Sequence, residues 1–223
     1  GDKGALWAEF ERRRENLAAE GLFDPARKRI LPKFPKGIVV VTSPTGAVIE
    51  DIRNIVSRRW PLTNLIVEPT VVQGLDAPQN ISSAIKNVSN YSGKQIDLVI
   101  LARGGGSVED LWAFNEEVVV RSIYSCPVPV ISAIGHETDF TLADLVADQR
   151  APTPSAAAEM AVPDRVEVLQ QIQSLMLRQN TSIKIAISSL MDQVSHLTSR
   201  IYLKRPGIEL LEAGVEVIIN RMS

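Results

Sequence analysis

Residues 38–52 read Ile-Val-Val-Val-Thr-Ser-Pro-Thr-Gly-Ala-Val-Ile-Glu-Asp-Ile, and this stretch decides the fold class. Four apolar residues in a row, three of them Val, suit a short strand whose two faces are both covered. Thr42 to Gly46 is a turn rich in Ser, Pro and Gly. From Ala47 to Arg59, Ile49, Ile52 and Val56 recur at three- and four-residue steps, which is the period of a helix with one apolar face. The same strand–turn–helix unit then repeats. Leu65-Ile66-Val67 is a second strand, followed by a loop with Gly74 and Pro78 and a helix from about Asn80 to Asn90. Asp97 to Leu101 is a third strand, Arg103-Gly104-Gly105-Gly106-Ser107 its turn, and Val108 to Tyr124 the next helix. Val128 to Ser132 is a fourth strand, whose Pro129 belongs at an edge or at the strand's start because it lacks an N–H. Gly135-His136-Glu137-Thr138-Asp139 follows, and then a short helix from Thr141 to Asp148. Four such alternations predict an α/β fold: an open parallel sheet with right-handed crossovers and helices on both faces.

Outside this block the pattern changes. Leu6 to Ala19 has helical spacing, with Leu6, Phe10 and Leu17 on one side and Arg12, Arg13 and Arg14 on the other. Gly21 and Asp24-Pro25 end it, and a polar linker runs to Pro35, so residues 1–36 read as a helix and connector. Residues 37–163 form the α/β domain, and residues 164–223 an arm. From Asp164 to Arg205 there is neither Gly nor Pro. Stepping back from Ile201 by threes and fours meets Leu197, Val194, Leu190, Ile187, Ile183, Asn180, Met176, Gln173, Leu169 and Val166. That is a coiled-coil-like seam with two polar interruptions. At ~1.5 Å per residue the helix extends roughly 60 Å. Pro206-Gly207 breaks it before a short apolar segment, Ile208 to Ile219.

Charge narrows the function. The chain has 223 residues and a net charge of −2, with 45% hydrophobic and 22% charged residues, so disordered, collagen-like and strongly basic coat proteins are excluded. Residues 1–36 carry nine basic and six acidic groups, residues 37–150 eight and thirteen, and residues 151–223 seven of each. The central block, at −5, has no bulk electrostatic footprint for polyanions, so any nucleic-acid contact there must be local. The longest apolar runs are about six residues against the roughly 20 of a membrane span, so no membrane partner is expected. A single cysteine, Cys126, excludes an internal disulfide and fits a reducing compartment, with the cytoplasm as the expected location.

In an open parallel sheet, ligands bind beyond the carboxyl ends of the strands. Three of the four strand ends carry unusual residues: Ser43, Thr45, Gly46 and Asp51; Arg103, Gly104, Gly105, Gly106 and Ser107; and Gly135, His136, Glu137 and Asp139. Triple glycine lets a backbone approach a ligand closely. With Arg103 and the N–H groups of the helix after it, this loop suits a phosphate. It matches neither the dinucleotide fingerprint nor the nucleoside-triphosphate loop, and a structural turn is the plainer reading. His136, flanked by carboxylates, has the chemistry of a general acid or base, or it caps the next helix. His136, Glu137, Asp139, Asp144 and Asp148 form a candidate metal group, although Asp144 and Asp148 as an i, i+4 pair are expected to face water. His196 lies one step off the seam and reads as a surface residue.

Long motifs here are similar to those of a known family. Thr42-Ser43-Pro44-Thr45-Gly46-Ala47-Val48-Ile49-Glu50-Asp51-Ile52 is the first, and Arg103-Gly104-Gly105-Gly106-Ser107-Val108-Glu109-Asp110-Leu111-Trp112-Ala113-Phe114-Asn115-Glu116-Glu117 the second. Gly135-His136-Glu137-Thr138-Asp139-Phe140-Thr141-Leu142-Ala143-Asp144, continuing through Asp148 and Arg150 to Glu159, is the third. In this order they resemble the large subunits of bacterial exodeoxyribonuclease VII, closely over residues 10–163 and in kind along the arm.

The resemblance implies a nuclease that hydrolyses single-stranded DNA from either end to oligonucleotides and 5′-phosphorylated products. It puts the essential residues at Asp51, Arg103, His136 and Asp139. From the strand-end loops themselves, Ser43, Thr45, Gly104, Gly105, Gly106 and Ser107 are expected around the substrate phosphate. It implies that no cofactor is required, with Mg2+ as the alternative and the metal ligands unknown. The partners it implies are single-stranded DNA and several copies of a small subunit, docked on the arm. Because the family pattern has an OB-fold before the catalytic domain and a longer region after it, the chain reads as a catalytic core. From the residues alone, two other readings stay open: a nucleotide- or phosphate-binding module without hydrolysis, and an assembly scaffold acting through the arm.

Overall fold

The computed structural model describes residues 2–44, 46–91, 95–104, 109–135, 140–203 and 208–222. Its centre is a five-stranded sheet, with β1 Gly37–Thr42, β2 Asn64–Pro69, β3 Leu98–Ala102, β4 Val130–Ala133 and β5 Gln149–Arg150. The order is β2-β1-β3-β4-β5 and every pairing is parallel. Ile38 stands opposite both Leu65 and Leu98, and Ile100 opposite both Val40 and Ile131, so the apolar runs lie side by side. β1, β3 and β4 are buried along their whole length, as continuous apolar strands must be, whereas edge strand β2 is only partly covered. Pro129 precedes β4, at its start rather than at an edge.

Strand alternation sends side chains to two cores. Ile38, Val40, Leu98, Ile100, Ile131 and Ala133 meet α2 (Ala47–Arg59) and α6 (Pro154–Ala161) on one face. Val39, Val41, Val99, Leu101 and Val130 meet the other helices on the opposite face. These are α1 (Asp2–Ala19), α3 (Ala77–Asn87), α4 (Glu117–Tyr124) and α5 (Leu142–Val146). The expected open parallel α/β sheet with helices on both faces is therefore the fold.

Three expectations need correction. The N-terminal segment is no mere connector: Phe10, Leu17 and Leu22 are buried in the second core. Its arginines stitch it down, since Arg13 pairs with Glu116 at 2.7 Å and donates to the Asn115 carbonyl at 3.0 Å. Arg27 donates to the Val146 carbonyl at 2.8 Å. Secondly, the helix expected over Val108 to Tyr124 is broken, Glu109–Asn115 being a 3-10 helix and Glu117–Tyr124 an α-helix. Asn115 explains the break. Its side chain accepts from the Leu142 N–H at 2.8 Å, and its carbonyl accepts from Arg13, so its groups are committed outside the helix. Thirdly, Asp144 and Asp148 do not face water, being only 3% and 6% exposed. Asp144 accepts from the Ser132 hydroxyl at 2.6 Å and completes a capping box with Thr141, while Asp148 accepts from the Val130 N–H and from Arg29.

The chain divides into two compact units, residues 1–168 and 169–223. The long helix α7 is Arg165–Leu203, and α8 is Ile208–Met222. Along α7 the expected seam residues Leu169, Met176, Ile183, Ile187, Leu190, Val194, Leu197 and Ile201 are all about half exposed or more. Among the described residues, no helix is long and apolar enough to cross a membrane.

Candidate active site

β1 and β3 are neighbours, but the chain leaves β1 towards β2 on one side and leaves β3 towards β4 on the other. That divergence opens a crevice at the carboxyl ends of the strands. A cleft of about 890 Å3 occupies it. All five strand ends contribute: Thr42 to Pro44 after β1, Thr70 to Gln73 after β2, Arg103 and Gly104 after β3, Ala133 to Gly135 at β4, and Pro152 to Ser155 after β5.

Sheet hydrogen bonding continues right up to this cleft. The Thr70 N–H donates to the Thr42 carbonyl at 2.9 Å, that of Arg103 to Ala133 at 3.2 Å, and that of Ala151 to Ser132 at 2.8 Å. The residues that open the cleft are thus held by the ladder. Gly104 draws β3 and α2 together, because a Cβ there would stand 3.2 Å from the Val48 Cγ2. A larger residue there would press on the Val48 side chain, which would have to give by a few tenths of an ångström.

The cleft has a pronounced polarity. Arg103 is the only cation among its described lining residues, and Asp51 the only carboxylate. Arg103 is 4% exposed, so its guanidinium acts in a medium where charge is weakly screened. Asp51 stands exposed one turn into α2. Two helices begin at the cleft. Gly46 is the N-cap of α2 and has no side chain with which to cap it. Thr153 caps α6, accepting from the Ala156 N–H at 3.0 Å. Both N-termini carry the positive end of a helix dipole.

Ser43, Asp51, Arg103 and Gly104 therefore share one cleft, together with Gly46 and Gly135. Thr45, Gly105, Gly106, Ser107, His136 and Asp139 lie outside the described residues. One detail of the expected phosphate cradle changes. Among the described residues the first element after the glycine loop is the 3-10 helix Glu109–Asn115, and the α-helical N-termini at the cleft are those of α2 and α6. The sequence reading also passed over Thr70, Gln73, Thr153 and Ser155. For α6 a signal existed, in a Thr followed by Pro and an alanine-rich run. For Thr70 none did, since Thr70-Val71-Val72-Gln73 holds no titratable group.

A smaller side pocket of about 330 Å3 adjoins the cleft and shares Pro44, Thr70 and Val71 with it. Glu68 stands in it with both carboxylate oxygens engaged: Asn87 Nδ2 donates at 3.1 Å, and the Tyr91 hydroxyl makes a short bond. Burial, and then the Glu68 carboxylate, push the Tyr91 hydroxyl up to about 12.

With this geometry in view, the sequence comparisons are decisive. The model of the exonuclease VII large subunit family matches residues 22–220. The chain belongs to that family. It is 49% identical over 203 residues to the exodeoxyribonuclease 7 large subunit of Ruminiclostridium cellulolyticum, covering 91% of this chain and 50% of the relative. The large subunit of Brevibacillus brevis is 47% identical, over 95% of this chain and 45% of its own length, and that of Geobacillus kaustophilus 43%, over 99% and 49%. The family resemblance carried by the three long motifs is borne out. The chain spans about half the length of these curated relatives.

Proposed function

We propose that this member of the exonuclease VII large subunit family is the catalytic core of a nuclease that hydrolyses phosphodiester bonds of single-stranded DNA. It works from either end and releases oligonucleotides and 5′-phosphorylated products. One observation carries the reading: a buried Arg103, the N-terminus of α2 and the carboxylate of Asp51 line the same β1/β3 crevice, in a chain of this family. A phosphodiester anion fits the guanidinium fork and the helix N-terminus. As water attacks, charge builds on the non-bridging oxygens, and Arg103 with the backbone of Gly104, Gly105 and Gly106 offsets it. Ser43, Thr45 and Ser107 hydrogen-bond the same phosphate. His136 removes a proton from water or returns one to the leaving oxygen, Asp139 orients the imidazole, and Asp51 positions the water.

The reaction proceeds without a required cofactor in this reading, magnesium being the alternative. Among the described residues, no group of three or more His, Cys, Asp or Glu is placed to hold a metal. Asp144 and Asp148, with their oxygens committed to the fold, are not first candidates for one. The apolar stripe of α7 docks several copies of the small subunit. Protein and DNA meet in the cytoplasm.

Digestion of end-labelled single- and double-stranded DNA by the complete large subunit with its small subunit, with and without chelator, tests the proposal. Release from both ends of single strands in either condition supports it. Cleavage restricted to duplex DNA, or none at all, contradicts it, and loss of activity with chelator transfers the chemistry to the metal alternative.

A further inference from the structure

Three exposed rings among the described residues carry a cation. Lys33 lies 5.6 Å from the Phe34 centroid, Arg27 4.3 Å from that of Tyr124 and Arg150 4.0 Å from that of Phe140. Phe34 precedes β1 and Tyr124 precedes β4, so both belong to the amino ends of the strands, away from the cleft. Phe140 and Arg150 stand at the other end. Phe140 lies between β4 and α5, and Arg150 closes β5. Pro152, two residues on and within ~7 Å of chain, already lines the cleft.

The Phe140 ring is 55% exposed and belongs to neither apolar core. Arg150 holds its guanidinium over the ring, while its Nε stands 3.9 Å from Asp144 Oδ1, a carboxylate fixed by Ser132 and Thr141. The cation is thus anchored by the fold and covers one side of the ring. The exposed part is open to a ligand with a π-face of its own. Charge says which ligand. Residues 37–150 are net −5, so a DNA strand gains little there from bulk attraction, and stacking supplies affinity that charge does not. A base inside a duplex is already stacked on both faces, whereas an unpaired base has a face to offer. We infer that Phe140, backed by Arg150, is a stacking platform for an unpaired base of the strand whose phosphate occupies the cleft. This rests on the nuclease reading and adds to it a base contact on the β5 side of the cleft.

Phe140→Leu keeps an apolar side chain and loses the π-face, while Phe140→Trp enlarges the face and adds a fluorescent reporter. In the complete large subunit with its small subunit, wild type and both variants are titrated with a cleavage-resistant phosphorothioate oligothymidylate. A fully abasic oligomer of the same length and backbone is titrated in parallel. Phe140→Leu should melt as wild type does, because the side chain is exposed, and bind the oligothymidylate about tenfold more weakly. Its affinity for the abasic oligomer should equal that of wild type. Phe140→Trp should bind the oligothymidylate at least as tightly as wild type. Its added indole fluorescence, read as the difference from wild type, should be quenched by that oligomer and not by the abasic one. Wild-type affinity in Phe140→Leu, an equal loss on both oligomers, or an unquenched indole overturns the platform. Failure of wild type both to bind the oligothymidylate and to cleave ordinary single strands overturns the nuclease reading, and the platform with it.

Discussion

Arg29 grips Asp148 with two nitrogens, Nε at 3.0 Å on Oδ1 and Nη2 at 2.8 Å on Oδ2, and its own N–H reaches Oδ1 at 2.8 Å. The Val130 N–H completes the set at 2.8 Å. One carboxylate thus joins the N-terminal segment, the start of β4 and the entry to β5. From β5 the chain runs directly to Pro152–Ser155 on the cleft wall. Burial alone would raise the Asp148 carboxyl, but the Arg29 guanidinium and the two N–H groups outweigh it and hold it below the usual carboxylate range.

Asp148→Ala should therefore destabilise the sheet unit by about 3 kcal/mol, the lower end for a broken buried pair. Arg29 is left 32% exposed and can turn to water, which limits the loss. The pH dependence follows from the lowered folded value. The carboxylate's contribution is complete above the unfolded value, about pH 4, and is lost as pH falls through the folded one. Thermal melting from pH 6 downward should fall less steeply below about pH 4 in Asp148→Asn than in wild type.

Asp144 separates a structural role from a chemical one. It accepts from Ser132 Oγ at 2.6 Å, Thr141 Oγ1 at 2.8 Å and the Thr141 N–H at 2.9 Å. Asp144→Ala leaves the buried Ser132 and Thr141 hydroxyls without their acceptor and removes half of the capping box of α5, at a cost of about 3 kcal/mol. Below the variant's melting transition, hydrolysis should stay within about threefold of wild type. Abolished hydrolysis in a folded Asp144→Ala protein would place this carboxylate in the chemistry.

Much of this was visible in the residues alone. The continuous runs Ile38–Val41 and Leu98–Leu101 can be satisfied only by burial on both faces, so the parallel sheet follows from them. The crevice follows from the sheet, and brought Ser43, Asp51, Arg103 and Gly104 together as expected. What escaped the sequence has physical reasons. β5 is two polar residues long, and only its pairing with Ile131 and Ser132 defines it. Phe10 and Leu17 showed the right spacing beside an arginine cluster, but one-dimensional charge did not reveal that Arg13 turns inward to Glu116 and Asn115. Asp144 and Asp148 had helical spacing, yet α5 ends at Val146 and puts them in different environments.

His136→Ala and Asp139→Ala should each slow hydrolysis of single-stranded DNA by ~10² or more with no change in melting, because in the proposed reaction the first loses the proton carrier and the second the group that orients it. Near-normal cleavage by a folded His136→Ala protein would remove it from the acid–base role.

The arm invites a separate test. Ile187 and Leu190 are 49% and 60% exposed on the α7 seam, and an apolar stripe of this length calls for a partner in water. Replacing both with Asp should abolish co-purification with the small subunit while leaving the melting of the sheet unit unchanged. Co-purification that survives would move the docking surface elsewhere.

The claim that the β1/β3 crevice is where phosphodiester bonds are broken stands most directly on Arg103. Arg103→Lys keeps the positive charge and loses the planar fork that grips two phosphate oxygens. The decisive measurement is the rate at which this variant, in the complete assembly and with a wild-type melting temperature, degrades single-stranded DNA labelled at the 5′ or the 3′ end. The expected result is a loss of ~10² or more from both ends. Wild-type rates from either end in the folded variant would contradict it.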